Sequence, residues 1–122
     1  MENVLIIEGI IGKIETKTFK NSTVTNFSLA HKEQWKDKEN VEQEETHWFN
    51  CELWNAPQKL IDRMTVGSLV LLLEAKMKTK KYKNKNDEEV TTFFIAVNKI
   101  RILVEKKIEG KKEGRKEGEI KP

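Results

Sequence analysis

From residue 4 to residue 103 the chain is almost continuously β-forming, with a single helical interruption, and that order constrains the fold more than any other feature. VLIIEGIIGKIETKTF (4–19) is rich in isoleucine and broken by Gly9 and Gly12, which predicts a long first strand that bends or bulges at a glycine. KNST (20–23) carries turn chemistry. VTNFSLA (24–30) reads as a second strand with Phe27 and Leu29 on one face, and residues 31–45 as a polar loop containing Trp35. THWFNCELW (46–54) is the third strand. Asn55 then suits a helix N-cap with Pro57 in the first turn, and APQKLIDRM sets Leu60, Ile61 and Met64 on one side of a short helix that Gly67 ends. LVLLLEAKMKTKKY (69–82), a KNKND turn (83–87) and EEVTTFFIAVNKIRIL (88–103) complete the pattern.

Five strands with one short helix between the third and fourth is the element order of an OB-fold barrel. The expected fold is therefore all-β: a five-stranded OB-fold barrel over residues 1–104, followed by a tail, 105–122. A chain of 122 residues suffices for one such domain and not for two. The tail, EKKIEGKKEGRKEGEIKP, holds seven basic and five acidic residues and almost nothing apolar. Such a composition cannot bury enough surface to order itself, so disorder is expected there.

The third strand carries the most chemical information. Successive side chains point to opposite faces, so His47, Phe49, Cys51 and Leu53 share a core side, with His47 at its edge. Thr46, Trp48, Asn50, Glu52 and Trp54 share the other, where two indoles stand on an otherwise polar face, roughly 20 Å apart by strand rise. Exposed aromatic surface of that kind marks a binding site, although indoles serve a dimer interface or a seat under the helix as well. In the fourth strand Leu69, Leu71, Leu73, Ala75 and Met77 form the apolar set, while Glu74, Lys76, Lys78, Lys80 and Tyr82 form the polar one. Residues 76–85 contain six lysines and no acid; a solvated edge strand favours lysine too. Aromatics interleaved with lysines are what an unpaired nucleic-acid strand requires, since bases stack on rings and lysines neutralise phosphates. Trp35, among charged residues, has no apolar neighbours to pack on. Acids around it repel DNA, so the loop is expected to engage a strand through its indole and Lys32 or Lys36.

Other chemistries find little support. The net charge of +3 does not argue for nucleic acid by itself. The single cysteine, Cys51, excludes an internal disulfide and multi-cysteine zinc sites, and its alternation with Phe49 and Leu53 makes it a core thiol. His31 and His47 have no ligand set near them in sequence, so no metal or cofactor is expected. No carboxylate pair, phosphate loop or Ser/His/Asp arrangement suggests an enzyme. No run approaches a membrane span. An acid at Glu2 without a basic n-region does not read as a secretory signal, so a cytoplasmic protein is expected, nucleoid-associated through its DNA.

At these residues the chain resembles the bacterial-type single-stranded-DNA-binding protein family. The matching segments are VTNFSLA, EQWKDKENVEQEETHWFNCELW, VGSLVLLLEAKMKTKKY and EEVTTFFIAVNKIRIL, in the family's order across residues 1–104. The resemblance implies an OB-fold that assembles as a homotetramer and binds single-stranded DNA in replication, repair and recombination. Its stacking positions map onto Trp35, Trp48, Trp54 and Tyr82, the last in place of a frequent tryptophan. Lys32, Lys36, Lys76, Lys78, Lys80, Lys81 and Lys83 are the expected phosphate contacts. Two departures stand out. The first two strands are joined without the family's proline and glycine pattern. The chain also ends EGEIKP rather than in an acidic tip closing on proline and phenylalanine, so weak docking of the usual partner enzymes is expected. The alternatives are a dimeric primosome-type OB-fold adaptor with secondary DNA binding, and an RNA-binding OB protein.

Overall fold

The computed structural model of the chain describes residues 1–107. Its elements run β1 (Leu5–Thr18), β2 (Thr23–Lys36), β3 (Glu42–Trp54), α1 (Gln58–Arg63), β4 (Leu69–Lys83) and β5 (Glu89–Val104). They close a barrel in the order β1-β2-β3-β5-β4, so the expected OB-fold with its single helix between β3 and β4 is present. All ladders are antiparallel except β3 with β5, which pair in parallel only over Cys51↔Ile95 to Leu53↔Val97. That short seam matters. Away from it the β2–β3 and β4–β5 hairpins part, leaving open grooves between them.

Side chains from every strand fill the interior. Leu29, Val70 and Leu72 are fully enclosed, Ile11, Cys51 and Ile95 nearly so, and Met64, just beyond α1, is buried in the same cluster with Leu60 packed against it. Each such aliphatic or methionine side chain contributes about 1.5–3 kcal/mol by leaving water. The stretch after the helix is pinned to β1 by Gly67 N–H donating to the Ile11 carbonyl and Ile11 N–H to that of Ser68. Gly67 itself sits at φ 94, a left-handed conformation that glycine adopts without a Cβ clash.

Three expectations need correction. The polar loop expected over 31–45 is a hairpin: β2 and β3 stay in unbroken register from Val24↔Trp54 to Lys36↔Glu42. The chain reverses just beyond, where Asp37 Oδ1 accepts the N–H groups of Glu39 and Val41 with Asn40 at φ 65. Both faces of this ribbon are polar, so the hydrophobic alternation that reveals a strand is absent. Asn55 is not the helix cap; Pro57 occupies that position. Asn55 instead adopts φ 53 and ties β3 to β2, donating its N–H to the Thr23 carbonyl and accepting the Thr23 N–H at Oδ1. Finally, Leu69, Leu71 and Leu73 do not share the core face with Ala75. Val70 and Leu72 are inside, and register shifts around Glu74 restore the phase so that Ala75 is buried and Met77 packs on the core. A run such as LVLLL has no alternation from which to read that shift.

Ordered contacts continue just past β5. Glu105 pairs with Arg63 at 3.1 Å, and the backbone of Lys106 bonds to the hydroxyls of Ser68 and Thr65. The rest of the expected tail, 108–122, lies outside the described residues. Among the described residues no helix is long and apolar enough to cross a membrane.

Candidate nucleic-acid interface

Strand alternation sends Trp48 and Trp54 to the outer face of β3, where they are 61% and 50% exposed. What the indoles rest on decides how they are presented. Across from β3, the outward positions of β2 near Trp48 are small: Ala30 pairs with Trp48 and Ser28 with Asn50. The Trp48 indole therefore reaches across β2 to β1. There a Cβ on Gly12 would lie 2.5 Å from Trp48 Cζ3 and 2.9 Å from Cη2, so the indole occupies the space a side chain would take. The expected glycine irregularity is found at the same place, a register shift between Ile11 and Lys13, with Lys13 N–H donating to Ser28 Oγ at 2.9 Å.

Trp54 is held at an edge and on a face. Its Nε1–H donates to Glu52 Oε1 at 3.2 Å, while Phe19 stacks on it with ring centroids 6.0 Å apart and planes 20° apart. Glu52 is shared: its other oxygen accepts Lys80 Nζ at 2.7 Å, and its side chain is mostly covered. The Lys80 ammonium also lies 4.7 Å from the centre of the Phe94 ring, within cation–π range. Trp54, Glu52, Lys80 and Phe94 thus form one connected set spanning β3, β4 and β5. Next to it runs an open groove of about 740 Å³ lined by Gly12, Ser28, Asn50, Glu52, Lys80 and Phe94, among others. A second, of about 480 Å³, adjoins it between Trp48, Phe49, Met77, Phe93 and Phe94.

The remaining candidates divide between faces. Lys76, Lys78, Lys80 and Tyr82 alternate along one face of β4, opposite Ala96, Phe94, Thr92 and Val90; all four are exposed. Lys81 and Lys83 have the opposite parity and face the other way, Lys83 lying 3.6 Å from Asp87. On β2, Lys32 and Lys36 share the outward face of Trp48. Trp35 does not. Paired with Gln43, it belongs to the other face of the ribbon with Glu33, Glu45 and His47, and there it is 47% exposed. The structure thus brings Trp48, Trp54, Lys80 and the outward lysines of β4 to one side, and sets Trp35 on the reverse of the hairpin arm.

His47, for which the sequence suggests no ligand set, lies beside two carboxylates. Its Nε2 lies 2.8 Å from Glu33 and 3.5 Å from Glu45, because the hairpin brings a residue fourteen positions away alongside. Exposed carboxylates and a histidine form such trios as ordinary surface ion pairs. Cys51 is buried, and desolvation pushes its thiol up to about 12, which keeps it protonated and unreactive as a core thiol.

Four participants were not singled out from sequence: Gly12, Phe19, Glu52 as a bridge, and Phe94. Glu52 could have been suspected from its place between the two tryptophans on one face. The others touch their partners only through cross-strand neighbours that register determines.

Comparison with known proteins agrees with this architecture. Residues 1–103 match the model of the single-strand binding protein family. Single-stranded DNA-binding proteins from two Neisseria meningitidis strains, serogroups A and B, are each 27% identical over 103 residues. That alignment covers 83% of this chain and 59% of each relative, so the chain spans little more than half their length. A Plasmodium falciparum SSB solved in complex with ssDNA superposes with a TM-score of 0.68 at 23% identity, covering 84% of this chain and 96% of that one. At that identity the likeness establishes the fold.

Proposed function

This chain belongs to the single-strand binding protein family, and on that premise we propose that it binds single-stranded DNA without sequence preference, coating and protecting it in replication, repair or recombination. The observation that carries this is the pair of half-exposed indoles, Trp48 and Trp54, on a strand face adjoining Lys80 and the lysine-bearing face of β4. Stacking on a ring accepts any base, and an ammonium accepts any phosphate, so the arrangement provides affinity without readout. Trp48, Trp54 and Tyr82 take bases, and Lys76, Lys78 and Lys80 take phosphates. Lys32 and Lys36 extend the contact along the outward face of the β2–β3 arm, and a strand that wraps round the arms reaches Trp35, Lys81 and Lys83 on their reverse faces. The role is binding alone, with no chemical step.

We further propose a homotetramer. Val4 and Ile6, before and within β1, are exposed, as are Leu103 and Val104 at the end of β5. These strands flank β4 in the barrel, and a second copy would cover that apolar surface. Light scattering gives the mass directly.

Titration with oligo-dT at low salt tests the binding. Indole fluorescence should be quenched by single strands and not by duplex, and log K should fall with log salt by about 0.7 per phosphate contacted. Trp48→Ala and Trp54→Ala should each cost on the order of 1–3 kcal/mol. Unchanged fluorescence with unpaired DNA at low salt would refute the proposal.

A further inference from the structure

We infer that Phe19 is a fifth stacking surface for unpaired bases, extending the interface from the end of β3 onto the β1–β2 turn; this rests on the single-strand-binding role proposed above. Phe19 is the residue after β1, and its N–H donates to the Ser22 carbonyl at 2.7 Å, so the tight turn determines where its ring stands. The other half of the pair is held as firmly. Trp54 immediately precedes Asn55, whose backbone and side chain both bond to Thr23 at the start of β2, bringing the end of β3 against that same turn.

The two rings stack at 6.0 Å and 20°, yet neither belongs to the buried core or its partly buried shell. Phe19 remains 51% exposed and Trp54 50%. A stacked pair covers one face of each ring and leaves the outer face of each in water. Packing therefore accounts for half of Phe19 and leaves a flat apolar surface in solvent, which a base face fits. Phosphate partners stand on either side in sequence, since Lys17 and Lys20 are both exposed. A strand leaving Trp54 would thus find a second ring and two ammonium groups on the turn.

Ultraviolet cross-linking of the unmodified protein to oligo-dT, followed by peptide sequencing in a mass spectrometer, tests the assignment without any substitution. A thymidine adduct on Phe19 is expected alongside adducts on the indoles. Adducts on Trp48 and Trp54 with none on Phe19 would overturn this inference alone. Absence of both adducts and fluorescence quenching would overturn the binding role and this inference with it. Two substitutions separate stacking from mere support of Trp54. Phe19→Leu keeps an apolar side chain behind the indole and removes the ring; its affinity for dT oligomers should fall about five-fold or more, and Phe19→Tyr should restore it. Wild-type affinity in the leucine variant would show that Phe19 only backs Trp54.

Discussion

Glu52→Gln should tighten the grip on single-stranded DNA, although it removes an ion pair. In the free protein Lys80 is engaged by Glu52 at 2.7 Å, so a phosphate arriving at Lys80 competes with a carboxylate and meets its charge. The Lys80 side chain is about half exposed, and solvent screening holds such a pair to about 0.2–1 kcal/mol; the loss in folding stability should not exceed that. The amide oxygen can still accept the Trp54 indole N–H, so the platform stays in place. Lys80 must release this carboxylate to take its phosphate, so the substitution returns to binding what the pair is worth. With the competing pair removed, the gain in affinity is about 0.2–1 kcal/mol, at most about five-fold. The assay is fluorescence titration with oligo-dT at four or more salt concentrations, run beside thermal melting. Equal or weaker affinity would refute the competition. Glu52→Ala separates the two roles of this residue: it frees the lysine but also releases the indole, so it should gain less than the glutamine variant.

Other expectations follow from the same contacts. Gly12→Ala places a Cβ 2.5 Å from the Trp48 ring and 2.9 Å from Ser28 Oγ; the exposed indole must swing aside, weakening binding by about 1–3 kcal/mol, and unaltered affinity would contradict the seating of Trp48. Burial raises Cys51 from its ordinary 9.0 to about 12, so the stability tied to the neutral thiol is complete below pH 9.0 and declines by about 1.4 kcal/mol per unit as pH rises towards the folded value; native protein should resist alkylation at neutral pH, and rapid labelling would refute the burial. The Val41 N–H foremost, with those of Glu39 and the Gln43 side chain, holds the Asp37 carboxyl below its ordinary 3.8. That contribution is present above 3.8 and lost as pH falls through the lower folded value, so the protection factors of the Glu39 and Val41 amides, taken against the intrinsic exchange rate at each pH, should fall in acid, and Asp37→Ala should lower them at neutral pH.

Much of the molecule is determined locally and is legible in the residues. Period-two alternation in HWFNCELW separates Cys51 and Leu53, which are buried, from Trp48 and Trp54, which are exposed, because neighbouring side chains in a strand must point to opposite faces. The single helix between the third and fourth strands narrows the fold to one barrel, and lysines interleaved with aromatics indicate the ligand class. Tertiary structure decided what depends on register and closure. The 31–45 arm lacks an apolar face, so only its pairing with itself makes it a hairpin, and that pairing sets Trp35 on the reverse of the ribbon from Lys32 and Lys36. Bulges around Glu74 invert the face of the leucines before them. The seat of Trp48 on Gly12, the Phe19–Trp54 stack and the Glu52–Lys80 bridge join residues 28 to 36 positions apart, and no local pattern encodes which residue of one strand lies opposite another. The sequence alone determined that the chain would present indoles and lysines on a barrel; closure of the barrel decided which of them stand together and what holds each one in place.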